Sequence, residues 1–116
     1  MSTCTAIYVD PETQCTEKTQ SIHGNWVWKF PDECLQITFT QNVITNIGTS
    51  RMACGFVVSI PGKTDLITGF FTQNGKLYIY SDTSFKYCAY QIGPKTLSGY
   101  PMRSQDGSTN SLLIPV

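Results

Sequence analysis

Few residues in this chain are suited to chemistry, and their spacing does not favour catalysis. The single histidine, His23, stands just before Gly24, and the five cysteines are at positions 4, 15, 34, 54 and 88. A cysteine meeting His23 in space would be an activated nucleophile. The setting of His23, however, is that of a surface residue at a strand end. No C-x-x-C occurs, so the usual zinc and thiol-redox motifs are missing. The eight carboxylates (Asp10, Glu12, Glu17, Asp32, Glu33, Asp65, Asp82 and Asp106) all fall in turn-like stretches. None lies in an apolar run, where burial would raise its pKa for proton transfer. The adjacent Asp32-Glu33 pair reads as a solvated corner. No phosphate-cradling glycine loop is present. The expectation is therefore a protein with no catalytic residues, no metal site and no cofactor, and enzyme is the minority reading.

Aromatic residues are the informative excess. The chain has six Tyr, six Phe and two Trp. Tyr and Trp combine apolar area with a polar handle, which suits them to ligand cavities and interfaces. Trp28, Tyr78, Tyr80 and Tyr90 form the candidate lining for a small apolar or aromatic ligand. The competing reading has such rings filling a small core or decorating its outer wall. Eight basic residues balance eight acidic ones for a formal net charge of zero. That argues against the clustered cations of a nucleic-acid footprint or a polybasic membrane patch. No apolar run approaches the ~20 residues of a membrane-spanning helix. The expected partner is a small apolar ligand or a protein, with no nucleic acid and no membrane insertion.

The elements that must position these rings read as strands. The stretch 65–81, DLITGFFTQNGKLYIYS, predicts a hairpin about a two-residue Asn74-Gly75 turn, flanked by Gln73 and Lys76, with positive φ at both central residues. Either face of its second strand is apolar enough to be the interior. Trp26, Trp28 and Phe30 alternate within 21–30, and Leu35, Ile37 and Phe39 alternate within 34–40. Further strands are expected at 6–9, 43–47, 51–60, 85–92, 95–100 and 111–116, with a polar loop at 102–110. Met52, Cys54, Phe56, Val58 and Ile60 would share one face of the 51–60 strand. Short connections and the absence of any convincing helix make the 116 residues one all-β domain. It is an antiparallel up-and-down meander of about eight strands closed into a small lipocalin-like β-barrel.

Five cysteines leave two readings open: two disulfides plus one free thiol, or small buried thiols that never pair. Cys4 and Cys15 flank a polar segment of the kind that a disulfide tethers. The sequence has no N-x-S/T sequon, and the first residues lack a basic and apolar leader. The reading leans to a secreted mature form whose leader has been removed, with a cytoplasmic protein as the alternative.

Gly24-Asn25-Trp26 resembles the G-x-W signature that opens the barrels of lipocalins, avidins and their calycin relatives. The resemblance implies a barrel whose Trp closes the floor, often under an arginine from a late strand. It also implies an apolar ligand inside, or a protein held on the outside. Arg103 is the candidate arginine, in a stretch that reads as loop. Ile47-Gly48-Thr49-Ser50-Arg51 is similar to the Gly-Thr-Ser loop with which staphostatins, lipocalin-like inhibitors of bacterial cysteine proteases, block their target's cleft. In that family the loop lies near the C-terminus, whereas here it lies mid-chain. That similarity implies an alternative function, protease inhibition through the 47–51 turn.

Overall fold

A computed structural model describes residue 4 and residues 22–42, 45–47, 50–52, 55–65, 67–71, 75–81 and 83–116. Ten strands are seen: β1 Gly24–Lys29, β2 Cys34–Asn42, β3 Thr45–Ile47, β4 Ser50–Met52, β5 Gly55–Ser59, β6 Ile67–Phe71, β7 Leu77–Ser81, β8 Ala89–Gln91, β9 Tyr100–Ser104 and β10 Asn110–Pro115. Eight of them close into a barrel in the order β1-β10-β9-β8-β7-β6-β5-β2, and β3 pairs with β4 in a separate two-stranded sheet. Every pairing is antiparallel. This is the expected meander, closed by β10 returning to β1 with Trp28 opposite Leu113.

Strand alternation places the interior. Trp26, Trp28, Ile37, Phe39, Phe56, Val58, Ile67, Phe71, Leu77, Ile79, Ala89, Tyr100, Met102 and Leu113 form one buried cluster, with Leu35 packed against it. The rings reach across the barrel: Phe71 on β6 lies 6.1 Å from Tyr100 on β9, and Tyr100 lies 5.8 Å from Trp26 on β1. Phe56 faces Gly69 across the β5–β6 ladder, and a Cβ added at Gly69 would fall within the Phe56 ring. Glycine at 69 is therefore a packing requirement.

Several expectations are corrected. The single strand expected over 51–60 is two strands, because Met52 pairs with Thr45 in the side hairpin while Gly55 pairs with Asn42 in the barrel. The aromatic run 85–92 begins as a single 3₁₀ turn, Phe85–Tyr87, and only Ala89–Gln91 joins the sheet. Residues 95–100 form a tight turn, in which Thr96 and Gly99 exchange two 3.0 Å backbone hydrogen bonds, instead of a strand. The strand lies later, from Tyr100, so Arg103 is a strand residue and not a loop residue. The short strand expected at 6–9, Asn74 and Cys54 lie outside the described residues.

The hairpin register is corrected too. A two-residue Asn74-Gly75 turn would set Gln73 opposite Lys76 and hence Phe71 opposite Tyr78. Instead Phe71 opposes Leu77, and Phe70 opposes Tyr78. A slip of one residue exchanges the two faces of a strand. In the observed register Phe71 and Leu77 share the interior while Phe70 and Tyr78 share the outer wall, so the interior receives Leu77 and Ile79 and the Tyr78 hydroxyl stays outside, where it accepts from Gln105. Gly75 does take φ +79°.

The outer wall carries a second buried cluster. Phe70, Tyr78 and Tyr80 pack with Cys4 and Cys88, and Phe85 and Tyr90 lean against them. Cys4 and Cys88 stand at disulfide distance, Cα to Cα 5.6 Å, and are 84 residues apart in sequence. The Ser81 backbone N–H reaches the Cys4 sulfur at 3.2 Å. β7 is thus buried on both faces, Leu77 and Ile79 inward and Tyr78 and Tyr80 outward.

Two outcomes follow for stability. Gly69→Ala should cost about 1–3 kcal/mol through overpacking against Phe56, and adding Phe56→Leu should recover part of that loss in urea denaturation. Reductant should lower the denaturation midpoint of the native protein but not that of Cys4→Ala/Cys88→Ala, since a loop of this length is worth roughly 4–5 kcal/mol in the chain-entropy model. Cys34 is exposed and free, so Cys34→Ser should remove one fast-reacting thiol from a titration of the folded protein.

Candidate functional site

An up-and-down meander sends alternate connections to opposite ends of the barrel. The β1–β2, β5–β6, β7–β8 and β9–β10 connections meet at one end, here called the upper end. The β6–β7 and β8–β9 connections meet at the lower end. The filled interior leaves these ends as the places where a ligand can sit.

At the upper end a pocket of about 380 Å³ is lined by Phe30, Pro31, Asp32, Phe85, Lys86, Ala89, Ser104, Asp106, Ser108, Thr109 and Ser111. Its floor is apolar and continuous with the core. Phe30 packs on Trp28 at 4.8 Å, and the Trp28 indole N–H donates to Ser111 Oγ at 3.0 Å. Pro31 and Asp32 reach the rim because the Phe30 N–H bonds to the Glu33 carbonyl at 2.7 Å and turns the chain. Lys86 pairs with Glu33, lies 3.8 Å from Asp32, and sits over the Phe30 ring at 4.9 Å. Its ammonium therefore satisfies the acids of the β1–β2 corner and caps the aromatic floor.

The opposite wall is the β9–β10 turn. Asp106 Oδ1 accepts from Ser104 Oγ at 2.6 Å, Ser108 Oγ at 2.6 Å and the Ser108 N–H at 2.9 Å. The hydrogen bonds from Ser104 and Ser108 hold the Asp106 carboxyl down at about 2. It is a fixed anion at neutral pH and a fixed acceptor, not a proton-transfer group. Phe30 and Phe85 offer apolar area, while Ser104, Ser108, Thr109 and Asp106 offer orienting polar atoms. This is the composition of a binding pocket for a compact, partly aromatic molecule.

The four rings expected to line one cavity are divided between the two faces of the wall. Trp28 is fully buried inside the barrel. Tyr78, Tyr80 and Tyr90 lie together outside, with Tyr78 opposite Tyr90. Gln105 Nε2 donates to the Tyr78 hydroxyl at 2.7 Å, and burial, with Tyr80 nearby, pushes the Tyr78 phenol up to about 12. Of the 47–51 segment, Ile47 pairs with Ser50 in the β3–β4 hairpin and Arg51 pairs with Asn46, while Gly48 and Thr49 lie outside the described residues. Trp26 packs at the lower end near Phe39 and Tyr100 and donates its indole N–H to the Ile22 carbonyl at 2.8 Å. Arg103 faces out, bonding Asn110 Oδ1 at 3.0 Å, so it does not sit under that Trp. A His23–Cys34 pair is excluded: Gly24 and Lys29, the latter opposite Cys34, are five residues apart along β1, about 17 Å at strand rise.

Sequence reasoning missed Ser104, Asp106 and Ser108, which it placed in a polar loop. The signal was there in Ser104-Gln105-Asp106-Gly107-Ser108, an Asp followed by Gly and flanked by hydroxyls, a pattern that closes a turn through its own side chain. No protein-family model, curated protein or solved structure matches the chain. Its class is accordingly defined by architecture, a closed eight-stranded antiparallel barrel compatible with a small calycin-like barrel. Among the described residues no cluster of three metal-ligating side chains occurs, and no helix is long and apolar enough to cross a membrane.

The lowered Asp106 value fixes a pH dependence. A depressed carboxylate pKa stabilises the folded state above the unfolded pKa, ordinarily 3.8, and that contribution is lost as pH falls through about 2. The denaturation midpoints of the native protein and Asp106→Asn should differ by a constant amount above about pH 5 and converge between about pH 4 and pH 2.

Proposed function

We propose that this protein is a non-enzymatic binding protein that holds a small apolar or aromatic ligand at the upper mouth of its barrel. The observation that carries the reading is the filled interior beneath an open, aromatic-floored pocket. The Phe30 and Phe85 rings take the ligand's apolar body, and the Ser104–Thr109 turn orients its polar edge. The barrel supplies rigidity, so little ordering cost opposes binding.

One observation favours a second reading. β3 and β4 leave the barrel as a separate hairpin between β2 and β5, joined by only the two residues between Ile47 and Ser50. Such a hairpin suits docking to a protein. On this reading the Ile47–Arg51 turn enters a partner's cleft, a cysteine protease being the partner that its local similarity suggests.

The neutral dye N-phenylnaphthylamine separates the two. The first reading expects saturable fluorescence enhancement that Phe85→Ala weakens by about tenfold, the scale of one well-packed aromatic contact, and that replacing residues 46–51 leaves unchanged. The second expects no dye binding and a captured protein that is lost when residues 46–51 are replaced. If neither dye nor protein binds, both readings fail.

A further inference from the structure

The lower end of the barrel holds a pocket of about 420 Å³ lined by Gly75, Lys76, Gln91, Gly93, Pro94, Lys95 and Tyr100. It differs from the upper pocket in charge. Asp32, Glu33, Asp65 and Asp106, the carboxylates among the described residues, all lie on upper-end connections. Among the described residues the lower pocket is lined by two lysines and no Asp or Glu. The Lys95 ammonium stands over the Tyr100 ring, 5.8 Å from its centroid, and forms no ion pair among the described residues.

Tyr100 is only 6 % exposed. Its ring is fixed between Trp26 at 5.8 Å and Phe71 at 6.1 Å. Its hydroxyl has no hydrogen-bond partner among the described residues, and burial raises its pKa. A buried phenol normally finds an acceptor. Gln91 does not supply one: its Oε1 accepts from the Leu77 N–H at 2.8 Å and its Nε2 donates to the Gly93 carbonyl at 2.7 Å. The pocket therefore offers a phenol O–H and the Lys95 ammonium, with no acceptor assigned to either among the described residues, and apolar area from the Tyr100 ring and Pro94.

We infer that this lower pocket binds a small organic carboxylate, with its anionic head between Lys95 and the Tyr100 hydroxyl and its apolar body against Tyr100 and Pro94. An acceptor-only head matches an ammonium, which only donates, and a phenol O–H free to donate. The apolar wall discriminates against an inorganic anion, which would have to leave water to lie against it. The site is independent of the upper pocket and needs no ligand there.

Benzoate titration tests this, read by calorimetry and by tryptophan fluorescence, since Trp26 neighbours Tyr100. Saturable binding is expected, with neutral benzyl alcohol weaker by about tenfold or more, the scale of one hydrogen bond to a charged group. Lys95→Met and Tyr100→Phe should each weaken benzoate by about three- to tenfold, while Lys86→Met at the upper end should leave it unchanged. Lys95→Met changes an exposed side chain, so its effect does not depend on how well Tyr100→Phe folds. The inference is overturned if benzoate does not saturate, if benzyl alcohol or inorganic phosphate binds as tightly, if Lys95→Met and Tyr100→Phe bind benzoate as the native protein does, or if Lys86→Met abolishes binding.

Discussion

Closure of the barrel through β1 is the constraint on which the rest depends. β1 bonds β2 on one side and β10 on the other, so none of the eight barrel strands presents an unpaired edge for aggregation. Closure also fixes the size of the interior, which must be filled by the side chains the strands bring. Here those are large: Trp28, Phe39 and Phe56 are each fully buried. The one place where two strands bring too much is relieved by Gly69, whose missing side chain is the space that the Phe56 ring occupies. A small barrel filled in this way has no room inside for a ligand. Its binding surfaces must lie at its ends, on its outer wall, or on what leaves it.

The outer wall shows how the leftover aromatic surface is managed. Phe70, Tyr78 and Tyr90 lie side by side on consecutive strands β6, β7 and β8. A patch of that kind left in water would be an aggregation or docking surface. Instead Tyr78 and Tyr80 are almost wholly buried, with Cys4 and Cys88 in their midst. The long-range cross-link and the aromatic patch support each other. The patch gives Cys4 something to pack on, and the link holds it there.

The parts of the fold that were legible in the sequence were those written in alternation. Ile37, Phe39, Phe56, Val58, Leu77 and Ile79 lie inside, as their period of two requires, and the short connections imply the meander. The misread parts were places where two rules competed. Asn74-Gly75 argued for a two-residue turn, but the register keeps Leu77 and Ile79 opposite interior residues of β6 and leaves Tyr78 and Tyr80 on the outer wall. The run Phe85–Ile92 looked like a strand because it is aromatic, yet only three of its residues pair in the barrel, and Tyr87 turns inward from a 3₁₀ turn to meet Trp28 at 5.7 Å. The candidate site was less legible still. Alternation shows that Trp28 and Tyr78 each lie on one face of a strand, but it does not show that the two faces are opposite sides of one wall. Only the register of closure decides that.

A net charge of zero conceals an uneven distribution. In a meander the connections alternate between ends, so charged turn residues become end-specific without any clustering along the chain. The Asp32-Glu33 pair, Asp65 and Asp106 are separated by tens of residues, yet all sit on upper-end connections. Lys76 and Lys95 sit on lower-end ones. The upper acids are largely answered from within: Lys86 pairs with Glu33 and lies close to Asp32, Thr83 Oγ1 donates to Asp65 at 2.8 Å, and Ser104 and Ser108 hold Asp106. Among the described residues Lys95 forms no ion pair. The two ends of one rigid barrel are therefore different chemical environments, the upper one satisfied in charge and aromatic-floored, the lower one rich in donors.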